Sequence, residues 1–145
     1  MADASFIVDG NTALAREADR LELDPARVNP GVRAVLGDAA KGMYFIAEHD
    51  GQPAGQLMIT YEWSDWRNGF FWWIQSVYVL EPFRGRGIFR ALFAHVNALA
   101  RRRPEVCGLR LYVDGENARA QQVYARMGMR RTSNQFFETD FVMKH

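Results

Sequence analysis

The stretch that most constrains the fold runs from Val77 to Arg90. Ile74 to Leu80 is an apolar run of strand length that stops at Glu81-Pro82; beyond Arg84-Gly85-Arg86-Gly87, apolar residues recur at Phe89, Leu92, Phe93, Val96 and Leu99 with helical spacing. The spacing predicts a strand, a tight loop and a crossover helix. Two glycines let a backbone approach a ligand closely, and a helix start leaves N–H groups without intrahelical partners. Arg84, Arg86 and Arg90 add positive charge around them, which suits a pyrophosphate. A solvated basic turn is the structural alternative.

Residue types exclude two familiar phosphate loops. A P-loop needs Lys followed by Ser or Thr after its glycines, and none follows here; a dinucleotide fingerprint needs a small sixth residue, whereas Gly85-Arg86-Gly87-Ile88-Phe89-Arg90 ends in arginine. The chain has 145 residues with 48% hydrophobic and 13% aromatic content, which predicts one domain over residues 1–145 with a real core. A formal net charge of +1 makes the arginines a local cluster, so no nucleic-acid partner is expected. The longest apolar runs, Met43 to Ala47 and Phe70 to Ile74, fall far below a membrane span, and Met-Ala-Asp-Ala-Ser has no signal-peptide character. A soluble, unexported, cytoplasmic protein without membrane partners is the expectation. The single cysteine, Cys107, forms no internal disulfide and suits a reducing compartment.

In chain order, Ser5 to Asp9 reads as a short strand, and Asn11 or Thr12 as the cap of a helix bearing Leu14, Ala18 and Leu21. Asp24-Pro25 reads as cap and first residue of a second helical segment to about Leu36, interrupted near Pro30-Gly31. Met43 to Glu48 and Ala54 to Glu62 are strand-like and joined through Asp50-Gly51, a hairpin signal; a turn over Ser64 to Gly69 then leads into Phe70 to Leu80. The helix from about Gly87 to Arg103 should end before Pro104, with Leu109 to Val113 returning parallel to the preceding strand. Asn117 can cap a last helix with Ala120, Val123, Tyr124 and Met127 on one face and Gly128 at its end; Met129 to Thr132 and Gln135 to Met143 are expected to close the sheet.

Two motifs carry a family resemblance. Arg84-Gly85-Arg86-Gly87-Ile88-Phe89 resembles the Arg-x-x-Gly-x-(Gly/Ala) acetyl-coenzyme A loop of the GNAT superfamily of N-acetyltransferases, with Phe89 in place of the small residue. Asn117-x-x-Ala120-x-x-x-Tyr124-x-x-x-Gly128-Met129 resembles the Asn-x-x-Ala-x-x-x-Tyr-x-x-x-Gly-Phe signature of the same family, with Met129 for Phe. The resemblance implies an α/β (α+β) fold with a mixed, mostly antiparallel sheet of about six or seven strands and about four helices in a single domain. It also implies an acyltransferase that moves acetyl from acetyl-CoA to a primary amine in a ternary complex.

By resemblance, the backbone of Val77, Tyr78 and Val79 would hold the pantetheine arm. Arg84, Gly85, Arg86, Gly87, Ile88, Phe89 and Arg90 would hold the pyrophosphate, and Asn117 either binds pantetheine or only caps its helix. An alkyl amine with pKa ~10 is neutral in about one molecule in a thousand at pH 7, so a base is useful, and the departing thiolate benefits from a proton donor. The resemblance puts Tyr124 in the donor role. Glu62, at the end of its strand beside the site of acceptor entry, is the first choice for the base, against the alternative of a solvated carboxylate. Gln75 is a candidate contact in the same cleft, as are Ser76 and Glu81. Glu62 with Trp66 and Arg67, and with Trp63 and Asp65 nearby, could line an acceptor pocket suited to a cationic or aromatic amine, small molecule or peptide.

His49, His95 and His145 lack ligand spacing, so no metal is expected, and Cys107 reads as a packed small hydrophobe. Exposed aromatic strands could pair two subunits as a homodimer or line one pocket. Two readings from other classes stand beside the enzyme. One is a non-catalytic acyl-CoA sensor, which would bind without consuming thioester. The other is an Arg/Trp nucleic-acid or peptide-binding module, which the balanced charge disfavours.

Overall fold

The computed structural model describes residues 3–143. Four α-helices, α1 (Ala4–Leu14), α2 (Pro25–Gly37), α3 (Ile88–Arg101) and α4 (Ala118–Arg126), and four strands, β1 (Met43–His49), β2 (Gln52–Ser64), β3 (Gly69–Val79) and β4 (Val106–Arg110), are present among the described residues. The sheet order is β1-β2-β3-β4, antiparallel except for the parallel β3/β4 pair. One compact unit runs to Leu111, and a second begins at Tyr112.

The turns follow their residues. Asp50 and Gly51 both take positive φ, 53° and 79°, as a tight hairpin between right-twisted strands demands. Asn68 takes φ 51° at the close of the β2/β3 turn. Asp24 caps α2, its Oδ1 accepting from Ala26 N–H at 2.9 Å. Pro30 sits within a continuous helix where an interruption was expected.

The amino-terminal expectation is corrected: Ser5 to Asp9 lies inside α1, which begins at Ala4. Phe6-Ile7-Val8 imitates a strand, but the buried residues Ala4, Ile7 and Gly10 repeat at helical spacing and set the structure. Asn11 is therefore an internal helix residue, not a cap. After Leu14 the helix widens into a π-helical turn, Ala15–Asp19, that ends on Arg20 at φ 55°.

One layer packs α3 against the sheet. Ile88, Leu92, Phe93, Val96 and Ala100 are buried on the helix, and Leu57, Ile59, Trp72 and Ile74 on the strands. β4 begins at Val106 rather than Leu109, because Phe70 N–H already donates to Glu105 O at 2.8 Å immediately after Pro104.

In the second unit, α4 is capped by Asn117, whose Oδ1 accepts from Ala120 N–H at 3.1 Å; the helix ends at Arg126, and Gly128, φ 90°, turns the chain just beyond it. The expected strands Met129 to Thr132 and Gln135 to Met143 do not form, so among the described residues the sheet has four strands and not six or seven. Local turns compete successfully: Thr132 Oγ1 accepts from Asn134 N–H at 3.3 Å, and Asp140 Oδ1 accepts from both Val142 and Met143 N–H at 2.8 Å. Phe136, Phe137 and Phe141 remain exposed, and no burial rewards an extended ladder there.

Candidate active site

The site is built on β3. Its pairing with β4 ends at Trp73↔Arg110, so from Ile74 to Val79 that edge has no strand partner among the described residues. On its other edge β3 carries an extra residue opposite β2, between the Gln56↔Tyr78 and Met58↔Gln75 pairs. Ser76 takes φ 51° at this bulge, a strained conformation for a residue with a side chain. The open edge therefore presents backbone groups at Val77 and Val79 that a bound amide chain can pair with, whereas those of Tyr78, opposite Gln56, face β2.

The bulge is held from below. Gln56, fully buried, donates from Nε2 to Ser76 O at 3.1 Å and to Asn11 Oδ1 at 2.9 Å. Its Oε1 is buried with no hydrogen-bond partner among the described residues. Gly10 makes room: a Cβ there would come within 2.5 Å of that oxygen.

Beyond β3, a 3-10 turn over Glu81–Phe83 leads to Gly85 and Gly87, both left-handed at φ 79° and 76°. A Cβ built at either meets no atom within 4 Å, so these glycines serve the backbone path and leave the space beside it open. The first helical hydrogen bond of α3 is Ala91 N–H to Gly87 O at 3.0 Å, and the N–H groups ahead of it have no helical partner. Arg86 and Arg90 are exposed beside them. Ile88 is buried, and Phe89 packs near Phe93 in place of the small residue the motif usually has.

Arg84 is used differently from its neighbours. Its Nε donates to Val79 O and its Nη2 to Glu17 Oε1, both at 2.9 Å, and its guanidinium lies over the Tyr78 ring at 5.4 Å. Tyr78 Oη also donates to Glu17 Oε2. The Tyr78 hydroxyl and then Arg84 hold the Glu17 carboxyl below the usual carboxylate range. Glu17 lies in the π-helical turn, so that turn is tied to the loop.

Toward β4, the side chains Thr60, Glu62, Phe71, Trp73, Gln75 and Arg110 meet on one face. Gln75 Nε2 donates to Thr60 Oγ1 at 2.6 Å. Glu62 Oε1 accepts from Arg110 Nη1 at 2.6 Å and from Trp73 Nε1 at 3.2 Å. Both contacts fall on one oxygen, which leaves Oε2 without a protein partner among the described residues. Arg67 lies in the turn, with its guanidinium 4.9 Å from the Phe71 ring centre, whereas Trp66 beside it is 90% exposed. Trp63 packs edge-on against Phe70 at 4.9 Å.

In the second unit, burial pushes the Tyr124 phenol up, which keeps it protonated through neutral pH. No cluster of histidine, cysteine or carboxylate suited to a metal occurs among the described residues, and Cys107 is free and half-buried. No helix among them is long and apolar enough to cross a membrane.

Sequence reasoning did not single out Glu17, Gln56 or Arg110. Gln56 and Arg110 each carried a signal, a polar residue inside an apolar strand run. Glu17 carried none, because its partners lie far away in sequence.

A family model described as the acetyltransferase (GNAT) family matches residues 13–129. Among solved structures, a possible acetyltransferase from Clostridium difficile 630 is 38% identical, with 99% of this chain and 94% of that one covered and a TM-score of 0.90. A structure from Clostridium acetobutylicum described as a predicted acetyltransferase with acetyl-CoA is 18% identical, covering 100% and 94%, with a TM-score of 0.75. A ribosomal-protein-alanine N-acetyltransferase from Brucella melitensis biovar Abortus 2308 is 18% identical, covering 97% and 93%, with a TM-score of 0.76. At the lower identities the likeness shows the fold. A search of curated proteins returned no match.

Proposed function

Because the chain belongs to the GNAT acetyltransferase family, we propose that it is an N-acetyltransferase moving an acetyl group from acetyl-CoA to a primary amine by direct transfer in a ternary complex. The observation that supports this most is the continuity of three features: the unpaired edge of β3 from Ile74, the bulge at Ser76, and the left-handed Gly85 and Gly87 ahead of α3. A pantetheine chain needs backbone partners along an edge, and a pyrophosphate needs N–H donors at a helix start. The Brucella neighbour's name, which specifies an N-acetyltransferase, agrees with an amine acceptor.

In this reading Val77 and Val79, on either side of Tyr78, hold the pantetheine arm; the Val79 carbonyl already accepts from Arg84, so the arm pairs with the remaining groups. The N–H groups from Gly85 to Arg90 hold the pyrophosphate, and Arg86 and Arg90 add charge. Arg84 acts on the loop through Glu17 and Val79. Asn117 caps α4 and is available to the pantetheine arm. The amine nitrogen attacks the thioester carbonyl, a C–N bond forms and the C–S bond breaks. Glu62 takes the amine proton through a water, and Tyr124 gives a proton to the departing thiolate. Gln75, Trp66 and Arg67 lie on the acceptor side. Positioning and strand-edge N–H donors to the carbonyl oxygen supply most of the acceleration. In this reading residues 1–145 are a single domain that works in the cytoplasm, without a metal.

A thermal-shift titration tests the class. Acetyl-CoA should raise the midpoint more than ATP or NAD does, because a ligand that binds the folded state stabilises it by mass action. A free-thiol assay over an amine panel should then show thioester consumption; a shift without consumption for any amine would indicate a sensor.

A further inference from the structure

We infer that the acceptor amine carries a carboxylate, as a free α-amino acid does, and that Arg110 and Arg67 receive it beside Glu62. The inference rests on the acetyltransferase reading for the reaction and on the sheet face itself for recognition.

Two guanidiniums lie against one phenyl ring. Arg110 Cζ is 3.6 Å from the Phe71 ring centre and Arg67 Cζ is 4.9 Å from it. The ring is fixed in turn by Gly108, where a Cβ would come within 2.8 Å of it. Stacking on a ring occupies the flat face of a guanidinium and leaves its edge donors pointing outward. Arg110 spends Nη1 on Glu62, and its Nε and Nη2 have no protein acceptor among the described residues. Arg67 makes one long hydrogen bond, Nη1 to Ser64 Oγ at 3.3 Å.

Among the described residues Glu62 is the single carboxylate paired into this group, so two positive charges face one negative charge. An anionic group completes the set, and a carboxylate matches the forked donors. Glu62 Oε2 then stands beside the amine of the same ligand, which places a zwitterion's two ends against opposite charges. A simple alkylamine would leave the arginine donors unmet, and a site built for a polar group discriminates against the analogue that lacks it.

The test uses matched pairs, alanine, phenylalanine and glutamate against their α-carboxamides. It measures initial rates with acetyl-CoA, and calorimetric binding to the full chain in the presence of coenzyme A. The acid should exceed its amide by about tenfold or more in kcat/KM, mostly through KM, and the calorimetric affinities should follow the same order. Arg67→Gln and Arg110→Gln should each shrink the acid-to-amide ratio, and the ratio cancels any general loss that Arg110→Gln causes through Glu62. Equal or reversed preference, binding of neither member of any pair, or a ratio unchanged in both variants would overturn the inference. Binding of the acids without thiol release from any amine would leave this recognition standing and sink the acetyltransferase reading instead.

Discussion

The side-chain amide of Gln56 donates to the carbonyl of Ser76 at 3.1 Å, across the two strands that part at the bulge. Ser76 holds a left-handed conformation that costs energy for any residue with a Cβ, and such a conformation persists where its surroundings over-determine it. Gln56→Leu removes the donor to Ser76 O and to Asn11 Oδ1 together. The variant should lose about 1–3 kcal/mol in denaturant unfolding and bind acetyl-CoA more weakly, as the bulge relaxes. Unchanged coenzyme affinity in a destabilised variant would make Gln56 a core residue alone.

Gly10→Ala approaches the same clamp from the helix side. Its Cβ would sit 2.5 Å from Gln56 Oε1, so either α1 shifts or the amide turns. A loss of about 1–3 kcal/mol is expected, as for other overpacked positions, and it should not add to the loss from Gln56→Leu, because the two residues share one contact. Denaturant melts of the single and double variants measure the coupling.

Glu17 ties Tyr78 and Arg84 to the π-helical turn. Its folded pKa is depressed, so its contribution is complete above the ordinary carboxylate range and is lost as pH falls through the lowered value. Wild type and Glu17→Gln should therefore differ in Tm at neutral pH and converge once the pH has fallen below the depressed value. The same substitution should weaken acetyl-CoA binding several-fold by releasing Arg84, read by calorimetry at neutral pH.

Much of the local backbone around the candidate site was legible in the sequence, and the reasons separate by residue. Asp50-Gly51, Asp24-Pro25 and Asn117 act locally, through backbone angles and caps, and the structure uses them as the residues alone suggest. The loop at Gly85 and Gly87 was legible for the same reason. Ser5 to Asp9 misled, because three adjacent apolar residues fit a strand as well as the face of a helix, and packing of Ile7 decided the matter. The expected closing strands failed because strand pairing is a property of two segments; Thr132 and Asp140 turn the backbone locally instead. Arg110 and Glu62 illustrate the remaining gap: a 2.6 Å ion pair between residues on β4 and β2 depends on the register of β3 between them.

Tyr124→Phe should lower kcat by about 10²- to 10⁴-fold, the usual range for a lost general acid, with acetyl-CoA affinity unchanged. Burial raises the Tyr124 pKa, so the protonated donor persists to high pH and the alkaline fall in kcat that it governs lies above the usual tyrosine value of about 10. A pH–rate profile of both proteins checks the sign.

Glu62→Gln keeps the shape of the side chain and removes the base. At saturating substrates kcat should fall. An unchanged rate with unchanged pH dependence would remove Glu62 from the chemistry and leave it as the partner of Arg110 and Trp73.

The most direct measurement is a crystal structure of the chain with acetyl-CoA. The diphosphate should rest on main-chain N–H groups between Gly85 and Arg90, with the pantetheine arm along the β3 edge from Val77 to Val79. Density for the coenzyme elsewhere, with that loop unoccupied at saturating concentration, would contradict the account.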